Sequence, residues 1–252
     1  MINFSQVINI TIPEGSVLKI TDSNGTILWQ KSSSNPYRRL QYIESTDNSG
    51  KGKYLIQLPF GVAFNDDKKL EIDYQLTKAT FNQSTGQYYG GMLSTSNLDT
   101  RIIYTDNWAS KLVSYWNGSG KQKDMTSAAW NTNRHTIYLK RQNNSNLWIN
   151  IYLDGGGAKY IGDTSDTATN LSLFNQKYDG SEWSILAKLY EFSIYKEAGS
   201  VKRYQHRLIP CQRKSDNVVG LYDVVDQVFY ANKGNGTFTP GPVVDDNWDG
   251  TL

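Results

Sequence analysis

Apolar and polar residues alternate with a period of two along much of this chain, in short runs that end at turn-forming residues. Residues 135–141 and 147–153 show the pattern best, since each presents one apolar face and the two flank a polar loop. Such alternation predicts antiparallel strands with one buried side. Ten further runs predict strands at residues 40–43, 54–58, 70–76, 88–94, 101–104, 111–116, 172–174, 185–195, 219–222 and 228–230.

The connections between these runs carry Asn-Gly, Asp-Gly and Gly-Gly-Gly sequences, which suit tight turns. The only candidate for a helix is a short one at residues 199–207. About twelve short strands without helical periods between them predict an all-β fold, in which two antiparallel sheets pack face to face as a sandwich.

The first 34 residues predict a small β unit of their own. Residues 17–20 and 26–29 flank Asn24-Gly25, which favours a tight hairpin, and residues 8–12 add a third alternating run. A unit of this size needs a surface to pack on. We therefore divide the chain into a docking unit at residues 1–34, a sandwich domain at 35–240 and a tail at 241–252, which is a loose end or a docking strand.

Composition supports this fold class. Asn, Ser, Thr and Gly make up 85 of the 252 residues, against ten Ala and six Glu, which disfavours long helices. Seven Trp, 17 Tyr and eight Phe supply the apolar surface that a core needs. The chain is thus predicted to be folded, mostly β and polar on its surface.

Charge and cysteine content exclude several functions. A net charge of +2 is too small to create an electrostatic field that would hold a nucleic-acid backbone. No segment of the sequence is apolar enough to insert into a membrane. The single cysteine, Cys211, has no partner for an internal disulfide and is expected to be buried. The first 15 residues lack the pattern of a secretory signal, so release by another route, such as cell lysis, is expected.

Parts of the sequence resemble a known family. The segments that are similar to the closing half of a laminin G or concanavalin A-like jelly roll are residues 134–139, 152–155, 171–174 and 187–195. The segments that look like the laminin G-like modules of phage and prophage structural proteins from gut bacteria are residues 37–46, 208–216, 220–223 and 229–238. The resemblance covers residues 37 to 240.

This resemblance implies a bacteriophage virion protein with a jelly-roll fold, located in a tail fibre, in a baseplate or on the capsid as a decoration protein. Such a protein would assemble in the cytoplasm of the host. Its sandwich would present loops to cell-surface glycans for host attachment. We expect residues 1–34 to contact other virion proteins and the chain to form a homo-oligomer in the particle. A decoration protein with a purely structural role is the alternative, and a glycan hydrolase is the second alternative.

Glycan binding requires an aromatic face for the apolar side of a sugar ring and a few polar groups for its hydroxyls. Aromatic and amide residues near turns are the candidates, whereas Trp148 is assigned to packing. The candidate glycan contacts are Tyr88, Tyr89, Trp108, Tyr115, Trp116 and Asn117.

Catalytic and metal sites have weaker signals. Glu71 and Asp73 match the first half of a glycosidase carboxylate motif, but the third carboxylate is absent, and outward-facing polar residues on a strand explain them. We predict no enzymatic activity and no required cofactor. Asp163 and Asp166 are weak candidates for a Ca²⁺ site at the rim of the sandwich.

Overall fold

The computed structural model describes residues 19–21, 24, 26–30, 35–47, 52–64, 68–77, 90–95, 100–106, 111–116, 123–125, 131–142, 148–163, 170–178 and 181–251. Every regular element in these ranges is a β-strand, and none is a helix. The short helix expected at residues 199–207 is therefore wrong. Residues from Val201 onward belong to a long strand, which pairs with residues 192–198 over its first half and with residues 219–223 over its second half, and this pairing satisfies backbone groups that a helix would otherwise satisfy.

The strands are, in chain order, β1 (Lys19–Thr21), β2 (Ile27–Gln30), β3 (Tyr37–Leu40), β4 (Ile43–Glu44), β5 (Ile56–Gln57), β6 (Lys68–Leu76), β7 (Gly91–Thr95), β8 (Arg101–Asp106), β9 (Lys111–Tyr115), β10 (Lys123–Asp124), β11 (Arg134–Arg141), β12 (Trp148–Leu153), β13 (Lys159–Asp163), β14 (Leu171–Leu173), β15 (Asn175–Tyr178), β16 (Ser181–Ser184), β17 (Ala187–Ala198), β18 (Val201–Arg213), β19 (Val219–Asp223), β20 (Val228–Ala231), β21 (Thr239–Pro240) and β22 (Val243–Asp245).

Two large sheets contain most of these strands. The larger has 12 strands along the path β13-β12-β11-β6-β17-β18-β19-β20, with β3, β4, β21 and β22 attached to it. The smaller has eight strands along the path β10-β9-β8-β7-β14-β5, with β15 and β16 beside it. Pairing is antiparallel except for one parallel bridge between β16 and β7. The predicted all-β class with antiparallel sheets is confirmed.

The N-terminal hairpin is present as the sequence predicts. Strands β1 and β2 pair in antiparallel register, with Lys19 opposite Gln30 and Ile20 opposite Trp29, and form a separate two-stranded sheet. The predicted strand at residues 8–12 lies outside the described residues.

Both large sheets contribute side chains to one hydrophobic core. In β6, Leu70 and Ile72 are fully buried and alternate with partly exposed residues, as a one-sided strand requires. Leu93 and Leu171 of the smaller sheet belong to the same cluster. Each such aliphatic side chain contributes about 1.5–3 kcal/mol on burial, so the shared core holds the two sheets together.

The C-terminal tail is part of the larger sheet. Strand β22 pairs with β3, and Trp248, only 3% exposed, packs edge-on against Tyr222 with ring centroids 5.4 Å apart. Together with Ile209 and Cys211 these two rings form a second, smaller core on the opposite side of the sheet from the first. Burial there raises the pKa of the Cys211 thiol. Of the two alternatives for residues 241–252, the structure shows a strand docked on its own sheet.

Candidate functional site

The structure describes only some of the residues that the sequence predicts as ligand contacts. Tyr115 lies on β9 opposite Arg101, and Asp163 lies on β13 opposite Trp148, but their side chains are not among the described ones. The candidates wholly outside the described residues are Tyr88, Tyr89, Trp108, Asn117 and Asp166.

Trp116 was predicted to contact glycan, and the structure corrects this prediction. Its side chain is 0% exposed and meets Phe64 edge-on, with ring centroids 5.0 Å apart, inside the main core. Its backbone N–H donates to the carbonyl of Ile161 at 2.8 Å. A Cβ at Gly162 would collide with the Trp116 carbonyl, so this close approach requires glycine. Trp116 therefore joins the two sheets and is not available for a sugar.

A polar and aromatic surface covers the larger sheet on the side opposite the main core, which we call the outer face. Paired residues of neighbouring strands share a face, so the register fixes its layout. Tyr138 of β11 lies opposite Tyr152 of β12 on one side and opposite Glu71 of β6 on the other. Glu71 and Asp73 both point outward on their alternating strand, as the sequence predicts.

Cationic side chains cover most of the tyrosine rings on this face. Tyr138 and Tyr152 stack with centroids 4.5 Å apart, and a lysine Nζ stands 5.1 Å from each ring. Such contacts use the ring faces that a sugar would otherwise need. The covered pairs are Lys69 on Tyr138, Lys140 on Tyr152, Lys188 on Tyr42, Arg134 on Tyr190, Lys202 on Tyr195 and Arg207 on Tyr204.

Trp148, at the start of β12, is different. It is 45% exposed, and its only ring contact within the described part of the chain is Tyr160 of β13, at 5.1 Å between centroids. With the stacked pair Tyr138 and Tyr152 on the same face, these rings form what we call the aromatic patch. The patch offers one large open ring to a ligand, beside a partly exposed tyrosine.

The sequence interpretation assigned Trp148 to packing, and this was wrong. Ile149 and Ile151 enter the core, so a period of two sends Trp148 and Asn150 to the outer face. That signal was present in the sequence. It was overlooked because large aromatic residues in β-sandwiches usually belong to the core.

A pocket of about 170 Å³ opens on the same outer face, where the tail strand β22 borders the sheet. We call it the arginine pocket. Arg134 forms a bidentate ion pair with Asp73, with 2.8 Å between Nε and Oδ1, and its guanidinium lies 3.9 Å above Tyr190. The bond to Asp73 raises the pKa of Arg134. The lining residues are Arg39, Leu40, Gln41, Asp73, Arg134, Tyr190, Glu191, Ile209 and Val244.

Asp73 and Glu191 are directly opposite each other on β6 and β17, which raises the question of a carboxylate pair for hydrolysis. Both are already held by arginine, because Arg207 donates Nε and Nη2 to Glu191 at 3.0 and 3.1 Å. Bidentate guanidinium contacts stabilise the ionised carboxylate. Both carboxylates of the pair therefore already have a guanidinium partner.

Both histidines of the chain occupy the same kind of hydrogen-bonded arrangement, which we call a His–Asp clamp. In the first, His135 Nδ1 lies 2.7 Å from Asp154 Oδ2, while Asp154 Oδ1 accepts the N–H of Thr136 at 2.8 Å. Asp154 directly follows β12, so the clamp joins the open end of the β11–β12 hairpin that carries the aromatic patch.

The second clamp repeats this geometry between β18 and β19. His206 Nδ1 lies 2.8 Å from Asp223 Oδ2, and Asp223 Oδ1 accepts the N–H of Arg207 at 3.1 Å. The His206 ring stacks flat on Phe60 with centroids 3.6 Å apart. A second carboxylate, Asp226 Oδ2, approaches Nδ1 at 3.2 Å.

His206, Asp223 and Asp226 are the one group within the described ranges whose side chains converge as metal ligands would. The carboxylate of Asp223 already accepts backbone N–H groups from Arg207 and Val225 in addition to its contact with the ring. The first clamp achieves the same geometry without a third ligand. We therefore interpret the group as a turn clamp.

Comparison of the chain with protein-family models, with curated proteins and with solved structures found no match. A search for membrane-spanning helices among the described residues also found none.

Proposed function

We propose that this chain is a glycan-binding module of a phage virion, with a jelly-roll sandwich that displays its outer face to host-surface carbohydrate. The exposed ring of Trp148 is the observation that carries this proposal. Its 45% exposure contrasts with the complete burial of Trp116 and with the cation-covered tyrosines around it. An open indole face beside polar groups is what the apolar side of a pyranose recognises.

The surroundings of Trp148 support a carbohydrate ligand over an apolar protein partner. Lys140 lies on the same face, on the other strand of the same hairpin, and is partly exposed, so the ring has a cationic group nearby and does not sit in a wide apolar patch. A purely structural decoration surface would bury its aromatic residues against a neighbouring subunit.

Binding by a single shallow site of this kind is weak. Many copies on one particle convert weak sites into firm attachment, because each bound copy raises the effective concentration of the next. In this proposal residues 1–34 attach the module to the particle, and the laminin G-like resemblance of residues 37–240 supports the virion setting.

The test is a glycan array probed with the full chain in tetravalent form, with and without Ca²⁺. We expect binding to host cell-surface glycans that Trp148→Ala reduces about tenfold or more, since loss of one stacking ring costs roughly 1.4 kcal/mol or more. Trp148→Phe retains an aromatic face and should keep most of the binding.

Val228→Ala is the matched control, because Val228 is similarly exposed, at 42%, on the strand at the opposite edge of the larger sheet. Thermal unfolding checks that each variant is folded. Equal glycan binding by Trp148→Ala and the wild type, or no binding by the multivalent wild type, would overturn the proposal.

A further inference from the structure

The arginine pocket contains a cationic group whose charge has no partner among the described residues. Arg134, Arg207 and Arg213 each form a bidentate or near-bidentate ion pair with a carboxylate. Arg39 lines the pocket, yet its guanidinium has neither an ion pair nor a side-chain hydrogen bond within the described ranges.

The carboxylates of the pocket do not neutralise Arg39. Asp73 is engaged by Arg134, and Glu191 is engaged from outside the lining by Arg207. Within the lining itself two cations, Arg39 and Arg134, face two anions, and Asp245 lies opposite Arg39 on β22. Because Asp73 and Glu191 are already engaged by other arginines, the guanidinium of Arg39 is the cation left available to a ligand, in a concave site where an anion is less screened than on open surface.

The rest of the lining suits a sugar ring. Val244, which is 57% exposed, provides an apolar wall, while the carboxylate oxygens of Asp73 and Glu191 retain lone pairs that can accept hydrogen bonds from hydroxyl groups. A planar guanidinium matches a carboxylate by two parallel hydrogen bonds.

We propose that the arginine pocket binds a carboxylated sugar unit, with its carboxylate on Arg39 and its hydroxyls on Asp73 and Glu191. The sugar identity of the ligand rests on the proposed glycan-binding function, whereas the preference for a carboxylate rests on Arg39 alone. Val244 comes from the docked tail, so the pocket is complete only while β22 is paired with β3.

The test compares two ligands that differ only in the group at issue, methyl galacturonoside and methyl galactoside, by NMR titration of the full chain. We expect the acid to bind about tenfold or more tightly than the neutral sugar, as one charge-assisted pair provides. Arg39→Gln should remove this difference, and Arg39→Lys should restore part of it, because lysine keeps the charge and loses the planar fork.

Arg203→Gln is the matched control, since it removes the same charge from an exposed position on β18. Arg203 lies six residues from the pocket residue Ile209, about 20 Å along the strand. If Arg203→Gln still binds the acidic sugar more tightly than the neutral one, a loss of net charge does not explain the result for Arg39→Gln. Equal binding of both sugars, or an unchanged preference in Arg39→Gln, would overturn the inference.

Two further arms separate this inference from the proposed function. In the first outcome, acetate displaces the acidic sugar from the wild type but not from Arg39→Gln, and the array shows no glycan binding. This outcome would support the anion site and contradict the glycan module. Trp148-dependent binding of neutral glycans without any acid preference would support the module and contradict the anion site.

Discussion

The two His–Asp clamps have the same geometry and different surroundings. In both, an aspartate at or just past the end of one strand contacts a histidine on the neighbouring strand and accepts the backbone N–H of the residue after that histidine. The side chain of Asp154 is 48% exposed, whereas that of Asp223 is 0% exposed. Water can reach the carboxylate of the first clamp but not that of the second. We therefore expect the loss of the aspartate to reduce the free energy of unfolding more at the second clamp.

The histidine ring of each clamp also makes different contacts beyond its aspartate. At the first, Asn131 Oδ1 lies 2.9 Å from His135 Nε2 and accepts the N–H of Asn133, which identifies the amide atom as oxygen. At the second, the ring is covered by Phe60 and its Nδ1 meets a second carboxylate, that of Asp226. The first clamp therefore has a hydrogen-bond partner at each ring nitrogen, whereas the second has its carboxylates at Nδ1 and is further held by stacking on Phe60.

The largest expected effect is that of Asp223→Ala. The change removes the acceptor of the Arg207 and Val225 N–H groups and takes a fully buried carboxylate away from His206, so we expect a loss of about 3–5 kcal/mol in the free energy of unfolding. Urea unfolding followed by tryptophan fluorescence measures it. Asp223→Asn keeps one acceptor oxygen and should lose less. A loss below that of the corresponding change at Asp154 would contradict the comparison.

Asp154→Ala should cost less, about 1–2 kcal/mol, because water reaches the groups that it leaves unpaired. The same urea experiment applies. Since Asp154 closes the hairpin of the aromatic patch, hydrogen exchange of the Thr136 amide should also accelerate, while that of the Arg207 amide should not. Acceleration at both amides would show that the clamps are not independent.

The smallest expected effect concerns metal. If the second group is a clamp, Zn²⁺ should not stabilise the wild type against urea, and Asp226→Asn should cost less than about 1 kcal/mol, since that carboxylate is half exposed. Stabilisation by Zn²⁺ that disappears in Asp226→Asn would identify a metal site and end the equivalence of the two clamps.

Local sequence patterns predicted the strands well. The alternation in residues 70–76 corresponds to β6, and the predicted N-terminal hairpin corresponds to the pairing of β1 with β2. The long strand β18 was missed because its first half is polar on both sides and so lacks the alternation of a one-sided strand; its pairing with the preceding strand β17 and the following strand β19 sets its structure. Pairing with those neighbours overrides a weak local signal.

The site was harder to predict than the fold. Period two was sufficient to place Trp148 on the outer face, and a strict use of it would have found the aromatic patch. The arginine pocket had no local signature, since Arg39, Asp73 and Arg134 come from three strands that only the sheet order brings together.

The sequence by itself determined that this protein is built of antiparallel strands, which side chains of a strand share a face, and that a turn follows β12 at Asp154-Gly155. These are consequences of backbone geometry over a few residues. Only the tertiary structure decided that Trp116 is buried, that the tail is docked on the sheet, and that each histidine meets an aspartate 17 or 19 residues away. Those outcomes depend on sheet order and packing, which combine residues that no local pattern connects.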